Sequence, residues 1–182
     1  VRRPLTEWHI RYRHELLIDQ LELVELKHFY PAFYSRGPFL SFLRINPEYG
    51  LSTVAKLIDF ATDRWLESVE LSENEADGVD VPLPEGSKHF VGTSQVFHWY
   101  HAQADNKVIK SALMAVEKWF YEQVDANEDV ERWINFILLN AHSVAFIGLL
   151  SEIGRYSPVL FAKSLRPLLL IADSYRFDAQ FI

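Results

Sequence analysis

Residues 143–173, SVAFIGLLSEIGRYSPVLFAKSLRPLLLIAD, are the most apolar stretch of the chain and limit its fold more than any other segment. A helix that crosses a membrane needs about 20 nearly uninterrupted apolar residues. Here Glu152, Arg155, Lys163 and Arg166 break the run, and Ser157-Pro158 divides it. The stretch is therefore predicted to be two short buried helices, one starting at Ser143 and the other at Ser157-Pro158. Helices that are apolar on more than one face need neighbours on more than one side. A row of stacked helix pairs supplies them, because each inner helix touches the pair before it and the pair after it.

Helical spacing runs through most of the remaining sequence. Thr6 can cap a helix to about Leu26, with Ile10, Leu17, Leu21 and Val24 on one face. FYPAFYSRGPF then interrupts the pattern with two prolines and a glycine. Asn46, Pro47 and Glu48 together make a helix start: a side-chain cap, a residue with preset φ, and a negative charge at the positive helix end. Leu51, Val54, Ile58, Ala61 and Trp65 follow on a single face. Val79, Val81 and Leu83 alternate with Asp80, Pro82 and Pro84 before the turn signal PEG, which predicts a β-hairpin at about residues 79–92 with an edge-type first strand. Beyond it, Ile109, Leu113, Val116 and Phe120 form another stripe. Asp125 and Glu128 read as a capping box for a helix carrying Trp133, Phe136, Ile137 and Leu138. The expected fold class is mainly α: stacked helix pairs, a HEAT-like α-solenoid, with one inserted β-hairpin in a single domain over residues 1–182. This expectation rests on helix length and apolarity, since no strict repeat is present. The chain opens on VRRP, carries no signal peptide or lipidation motif and stops at DAQFI, which reads as an internal piece of a longer polypeptide.

Composition removes several chemistries. Without cysteine there is no disulfide framework, thiolate metal site or cysteine nucleophile, which fits a reducing cytoplasm. A net charge of −7 opposes general affinity for a phosphate backbone. The exception is a basic face between Arg2 and His14, where Arg11 and Arg13 alternate with Trp8 and Tyr12; it is the candidate for a phosphate or nucleic-acid contact. No phosphate loop, GxGxxG, HExxH or GxSxG motif occurs.

His89, His98 and His101 cluster in HFVGTSQVFHWYH, and the last two could share a helical turn in a metal-dependent hydrolase. A catalytic metal needs a third protein ligand, and only the remote Asp105 offers one. Packing histidines at the edge of an aromatic segment is the plainer reading. ENEADG at Glu73 to Gly78 echoes a calcium loop, but it opens on Glu and carries Pro84 at the twelfth position, so it reads as a solvated acidic loop. Asp59 and Asp63 stand four apart on one helix. They are expected on its wet face, with Lys56 as an ordinary ion-pair partner for Asp59.

The order of a hairpin turning at PEGS, an aromatic WY pair, then SALMAVEKWF and INFILLNAHSVAFIGLLSEIGRYSP resembles the helical region of large bacterial P-loop NTPases of the STAND type. PEYGLSTVAKLIDFATDRW is similar to the helix before that hairpin, so the resemblance covers about residues 38–170. It implies a sensor or scaffold arm of a larger cytoplasmic NTPase, regulatory rather than enzymatic and without a cofactor of its own. Its implied partners are other domains of the same polypeptide and a protein ligand, with no membrane. The ATPase core of the family is missing, so no nucleotide-binding residue carries over. Ala112, Leu113, Val116 and Phe120 are expected inward, and Glu117 and Lys118 at the surface. Trp99, Tyr100 and the hairpin tip from Glu85 to Lys88 are the expected contact site, with hairpin packing as the alternative role for the rings. Leu168, Leu169 and Leu170 are expected to leave an apolar end able to self-associate.

Overall fold

A computed structural model of the chain describes residues 29–68, 78–100 and 106–171. The helix expected at Thr6 to Leu26 lies outside them, as do Arg11 and Arg13, most of the Glu73 to Gly78 loop, and His101. The described residues are mainly helical, with a single antiparallel hairpin. The helices are α1 (Phe39–Ile45), α2 (Pro47–Ser68), the one-turn α3 (Ser94–Phe97), α4 (Lys107–Asp125), α5 (Glu131–Asn140) and α6 (Val144–Tyr156). Strands β1 (Gly78–Leu83) and β2 (Gly86–Val91) stand between α2 and α3.

Local chemistry explains several of these boundaries. The Asn46 side chain accepts from the Tyr49 backbone N–H at 3.1 Å, so α2 starts at Pro47. Asn106 accepts from Val108 and Ile109 to start α4, and Ser143 accepts from Ala145 to start α6. In the hairpin, Gly78 pairs with Val91 and Leu83 with Gly86, which leaves Pro84 and Glu85 as a two-residue loop. Gly86 closes that loop at φ +130°, a conformation open to glycine and strained for residues bearing a Cβ.

Two expected boundaries are corrected. Asp125 ends α4 instead of capping α5; the N–H of Glu131 goes to Asp129 at 3.2 Å. The short helix expected from Ser157-Pro158 is not α-helical over the described residues to Ile171. The segment folds as two 3₁₀ turns, Pro158–Ala162 and Arg166–Leu170, each with a proline at its start. Proline tolerates a first helical position but removes an N–H and disfavours helix in the residue before it, so Pro158 and Pro167 each start a short turn and Pro167 opposes a continuous α-helix through both.

The packing centres on α6. Its residues Val144 to Leu150 are all buried, nearly two full turns with no wet face. The neighbours that cover it are α3, the 3₁₀ turn at His98–Tyr100, α4, β2 and the turn at Pro158–Ala162. The apolar excess of this helix is thus satisfied within the chain, without a following repeat. Helix α4 lies between α1, α2 and α6, and buries Ile109, Ala112, Leu113, Val116, Trp119 and Phe120, a wider stripe than spacing alone suggested. Arg44 of α1 reaches Glu122 of α4 with two hydrogen bonds, at 3.0 and 2.6 Å. Among the described residues no helix is long and apolar enough to cross a membrane.

Candidate functional site

The expected contact site divides into residues that are buried and residues that are exposed. Trp99 and Tyr100 are 8% and 4% exposed, so neither presents a surface to a partner. Both lie in the 3₁₀ turn that wedges between α4 and α6. Trp99 meets Trp65 of α2 edge-on at 6.5 Å. Tyr100 packs edge-on to Phe97 at 6.5 Å, and its hydroxyl donates to Glu152 at 3.3 Å. The rings fill space between helices, so their exposed role is corrected. Glu85 is exposed at the hairpin tip.

Lys88 points inward along the hairpin. Its ammonium donates to the carbonyls of Leu138 (2.9 Å) and Leu139 (2.7 Å) at the end of α5 and lies 5.0 Å from the centre of the Phe90 ring. A cation on the last carbonyls of a helix meets the negative end of its dipole. Burial lowers the Lys88 pKa, with the nearby charge of Asp59 opposing that shift. Lys88 therefore fastens β2 to α5.

The two histidines of the expected cluster that are described, His89 and His98, differ in surroundings. His98 is buried beside the Phe97 ring at 5.0 Å. His89 faces outward and contacts Asp80, its cross-strand neighbour, at 3.0 Å. No group of three or more His, Asp or Glu side chains among the described residues is arranged to hold a metal ion.

Among the described residues a dense polar cluster lies where α2 meets the α5–α6 connection, and local spacing gave no sign of it. Asp59 is only 8% exposed, which corrects its expected place on the wet face. One of its carboxylate oxygens accepts the backbone N–H groups of His142 (3.1 Å) and Ser143 (3.0 Å), and the other lies 3.3 Å from His142 Nδ1. The second ring nitrogen of His142, Nε2, lies 3.1 Å from Asp63, which is exposed. Thr62 and Ser143 share a buried hydroxyl–hydroxyl hydrogen bond of 2.7 Å. The His142 carbonyl accepts from Val91 N–H, and Val91 bridges Ser143 in parallel, so the end of β2 is tied to the same point. Burial raises the Asp59 pKa, and the two backbone donors and His142 oppose the rise.

This cluster has the residue types of a catalytic site without its geometry. The two imidazole nitrogens face different carboxylates, so no single point is shared by three ligands. Ser143 is fully buried and bonded to Thr62 and to its own helix, so its hydroxyl meets no substrate. The polar groups serve to join α2, the hairpin and α6. A search signal for it would have to pair Asp59 with residues more than eighty positions away. The chain matches no protein-family model and no curated protein.

Proposed function

We propose that this chain is a protein-interaction or ligand-sensing module of a larger cytoplasmic P-loop NTPase of the STAND type, acting by recognition rather than catalysis. In this reading its helices belong to a longer HEAT-like row, and further helix pairs of the same polypeptide cover its C-terminal turns. The observation that carries the proposal is the pattern of those turns. Leu160, Leu165, Leu168 and Ile171 are buried, while Val159, Leu169 and Leu170 stand 59%, 46% and 70% exposed. Three aliphatic side chains with about half or more of their surface exposed within twelve residues favour an apolar partner surface. The internal use of Asp59, His142, Ser143 and Lys88 supports a role without bond chemistry.

The test is the association state of the isolated chain. With the covering pairs absent, Leu169 and Leu170 should drive concentration-dependent self-association, read by light scattering coupled to size exclusion across a hundredfold dilution. Leu169→Glu with Leu170→Glu should return a monomer. A wild-type chain that stays monomeric throughout removes the observation on which the proposal rests. Nucleotide turnover by the chain itself would contradict it directly.

A further inference from the structure

From a stacked pair of tyrosines whose hydroxyls each rest on a carboxylate, we propose that Tyr121 and Tyr156 form a site of oxidative cross-linking. A one-electron oxidant joins the two phenols there by a carbon–carbon bond and ties α4 to α6. The inference is independent of the function proposed above, since it concerns a covalent modification of this chain.

The site is assembled from both helices. Glu117, Tyr121 and Asp125 stand four residues apart on one face of α4, and Tyr156 is the last residue of α6. The two rings stack at 4.2 Å between centres, with an interplanar angle of 27°. Two benzene rings joined by a single bond have centres one ring diameter plus one carbon–carbon bond apart, and these rings already stand close to that separation. The Tyr121 hydroxyl donates to Glu117 at 2.7 Å, and the Tyr156 hydroxyl donates to Asp125 at 2.7 Å. Burial and the Glu117 hydrogen bond raise the Tyr121 pKa, and the Asp125 hydrogen bond raises that of Tyr156. Both phenols are therefore neutral, and each has a proton acceptor in place. Tyr121 is partly buried, while Tyr156 is 47% exposed. That exposure opens the pair to an oxidant in solution and leaves the Tyr156 ring room to turn edge-on to its partner.

The chemistry balances with a peroxide as oxidant. Each phenol gives one electron to the oxidant and its hydroxyl proton to its carboxylate, which leaves two neutral phenoxyl radicals. Their unpaired electrons, shared onto the ring carbons ortho to oxygen, pair to form one Cε–Cε bond. The hydrogen on each bonded carbon then leaves as a proton and each oxygen regains one, which restores both rings. Two electrons and two protons depart in all, and one hydrogen peroxide takes them up to become two waters. The chain has no cysteine for a disulfide, and a tyrosine–tyrosine bond is a covalent tie that thiol reductants leave intact. It closes a loop between residues 121 and 156, and so restricts the unfolded chain as other cross-links do.

The test exposes the whole chain to hydrogen peroxide with a haem peroxidase and maps the products by mass spectrometry after trypsin. Cuts after Lys118, Arg132, Arg155 and Lys163 place each tyrosine on its own peptide. The expected product joins residues 119–132 to 156–163, lighter than their sum by two hydrogens, with a yield per chain that stays constant on dilution. Exposure alone predicts otherwise: Tyr30 and Tyr49 are 73% and 67% exposed, and reaction led by them gives links between chains that fade on dilution. Tyr156→Phe and Tyr121→Phe keep the ring, and each should abolish the joined peptides while Tyr30 and Tyr49 still react. Asp125→Asn keeps an oxygen acceptor on the Tyr156 hydroxyl but does not take up its proton. It should slow the link by about tenfold, less than the roughly hundredfold of a positioned base in a closed site, because Tyr156 is about half open to water. Absence of the joined peptides from chains whose Tyr30 or Tyr49 has reacted overturns the proposal. So does an equal yield from the chain unfolded in urea, since the folded geometry then contributes nothing. An unchanged rate in Asp125→Asn overturns the proton transfer assigned to the carboxylate.

Discussion

Gly148, at the centre of α6, offers the sharpest check on how this fold is packed. In an exposed helix, Gly→Ala gains about 1 kcal/mol, because glycine surrenders more backbone entropy than alanine. Here a Cβ would run into the Phe97 carbonyl oxygen, well inside contact distance, and into Tyr100 Cε1 at 2.7 Å. The carbonyl belongs to backbone at the junction of α3 and the 3₁₀ turn, so it cannot rotate away as a side chain can. The helix and the turn have to separate by about 1 Å, and a gap of that size forfeits a quarter to a half of each contact across it. Phe97 and Tyr100 are buried on the far side of that gap. Overpacking of this kind costs about 3 kcal/mol. Set against the propensity gain of about 1 kcal/mol, Gly148→Ala should destabilise by about 2 kcal/mol. Gly154, one and a half turns on, is the internal control. The three atoms nearest a Cβ there all belong to the ring of Phe161, a half-buried side chain rather than backbone. Gly154→Ala should therefore cost less than about 1 kcal/mol, because the helix gain offsets the ring movement. Urea unfolding of the three proteins under one condition decides it. If Gly148→Ala matches or exceeds wild-type stability, the close approach of α6 to the 3₁₀ turn is not what holds these elements.

Two further expectations concern ion pairs and caps. The hydrogen bond from Arg44 holds the Glu122 carboxyl below its ordinary value, so its contribution is present above the unfolded-state value of about 4.3 and is lost as pH falls through the lower folded-state value. With Arg44 about half exposed, Glu122→Gln should cost no more than about 1 kcal/mol at pH 7 and progressively less as the carboxyl protonates in acid, a closing gap that paired unfolding curves would show. Asp59→Ala strands the His142 and Ser143 N–H groups at the start of α6 and should cost about 1–3 kcal/mol, whereas Asp59→Asn keeps an acceptor there and should cost less. Equal losses in the two variants by denaturant unfolding would deny Asp59 its capping role.

What sequence spacing revealed and what it missed follow from the range of the interactions. Asn46 with Pro47, and Ser143 with Ala145, act within three residues, so the starts of α2 and α6 were readable from type and order. The hairpin was readable because PEG turns it and valines alternate in β1. Asp59 was misplaced because its neighbour in sequence, Lys56, offered an ion pair, while its real partners are His142 and Ser143, 83 and 84 residues away. Trp99 and Tyr100 stand with the hairpin tip in the expected contact site, yet both are buried. Their burial arises from a 3₁₀ turn whose three residues all face neighbouring helices, a geometry that helical periodicity does not describe. The segment after Ser157 was read as helix from its leucines, and the correction lies in the two prolines at 158 and 167. The excess of apolar residues in α6 was a sound sign of all-round contact. Only the source of that contact differed: distant elements of the same chain surround it.

The hairpin has a topological consequence. β1 rests against the turn at Arg166–Leu170, while β2 is fixed to the α5–α6 connection through Val91 and to α5 through Lys88. From the Arg166–Leu170 turn, contacts run to β1, across the ladder to β2, and from Val91 to Ser143 at the start of the central helix. The two strands thus join the last described turns to the start of the central helix by a second route, beside the covalent one through Pro158–Ala162.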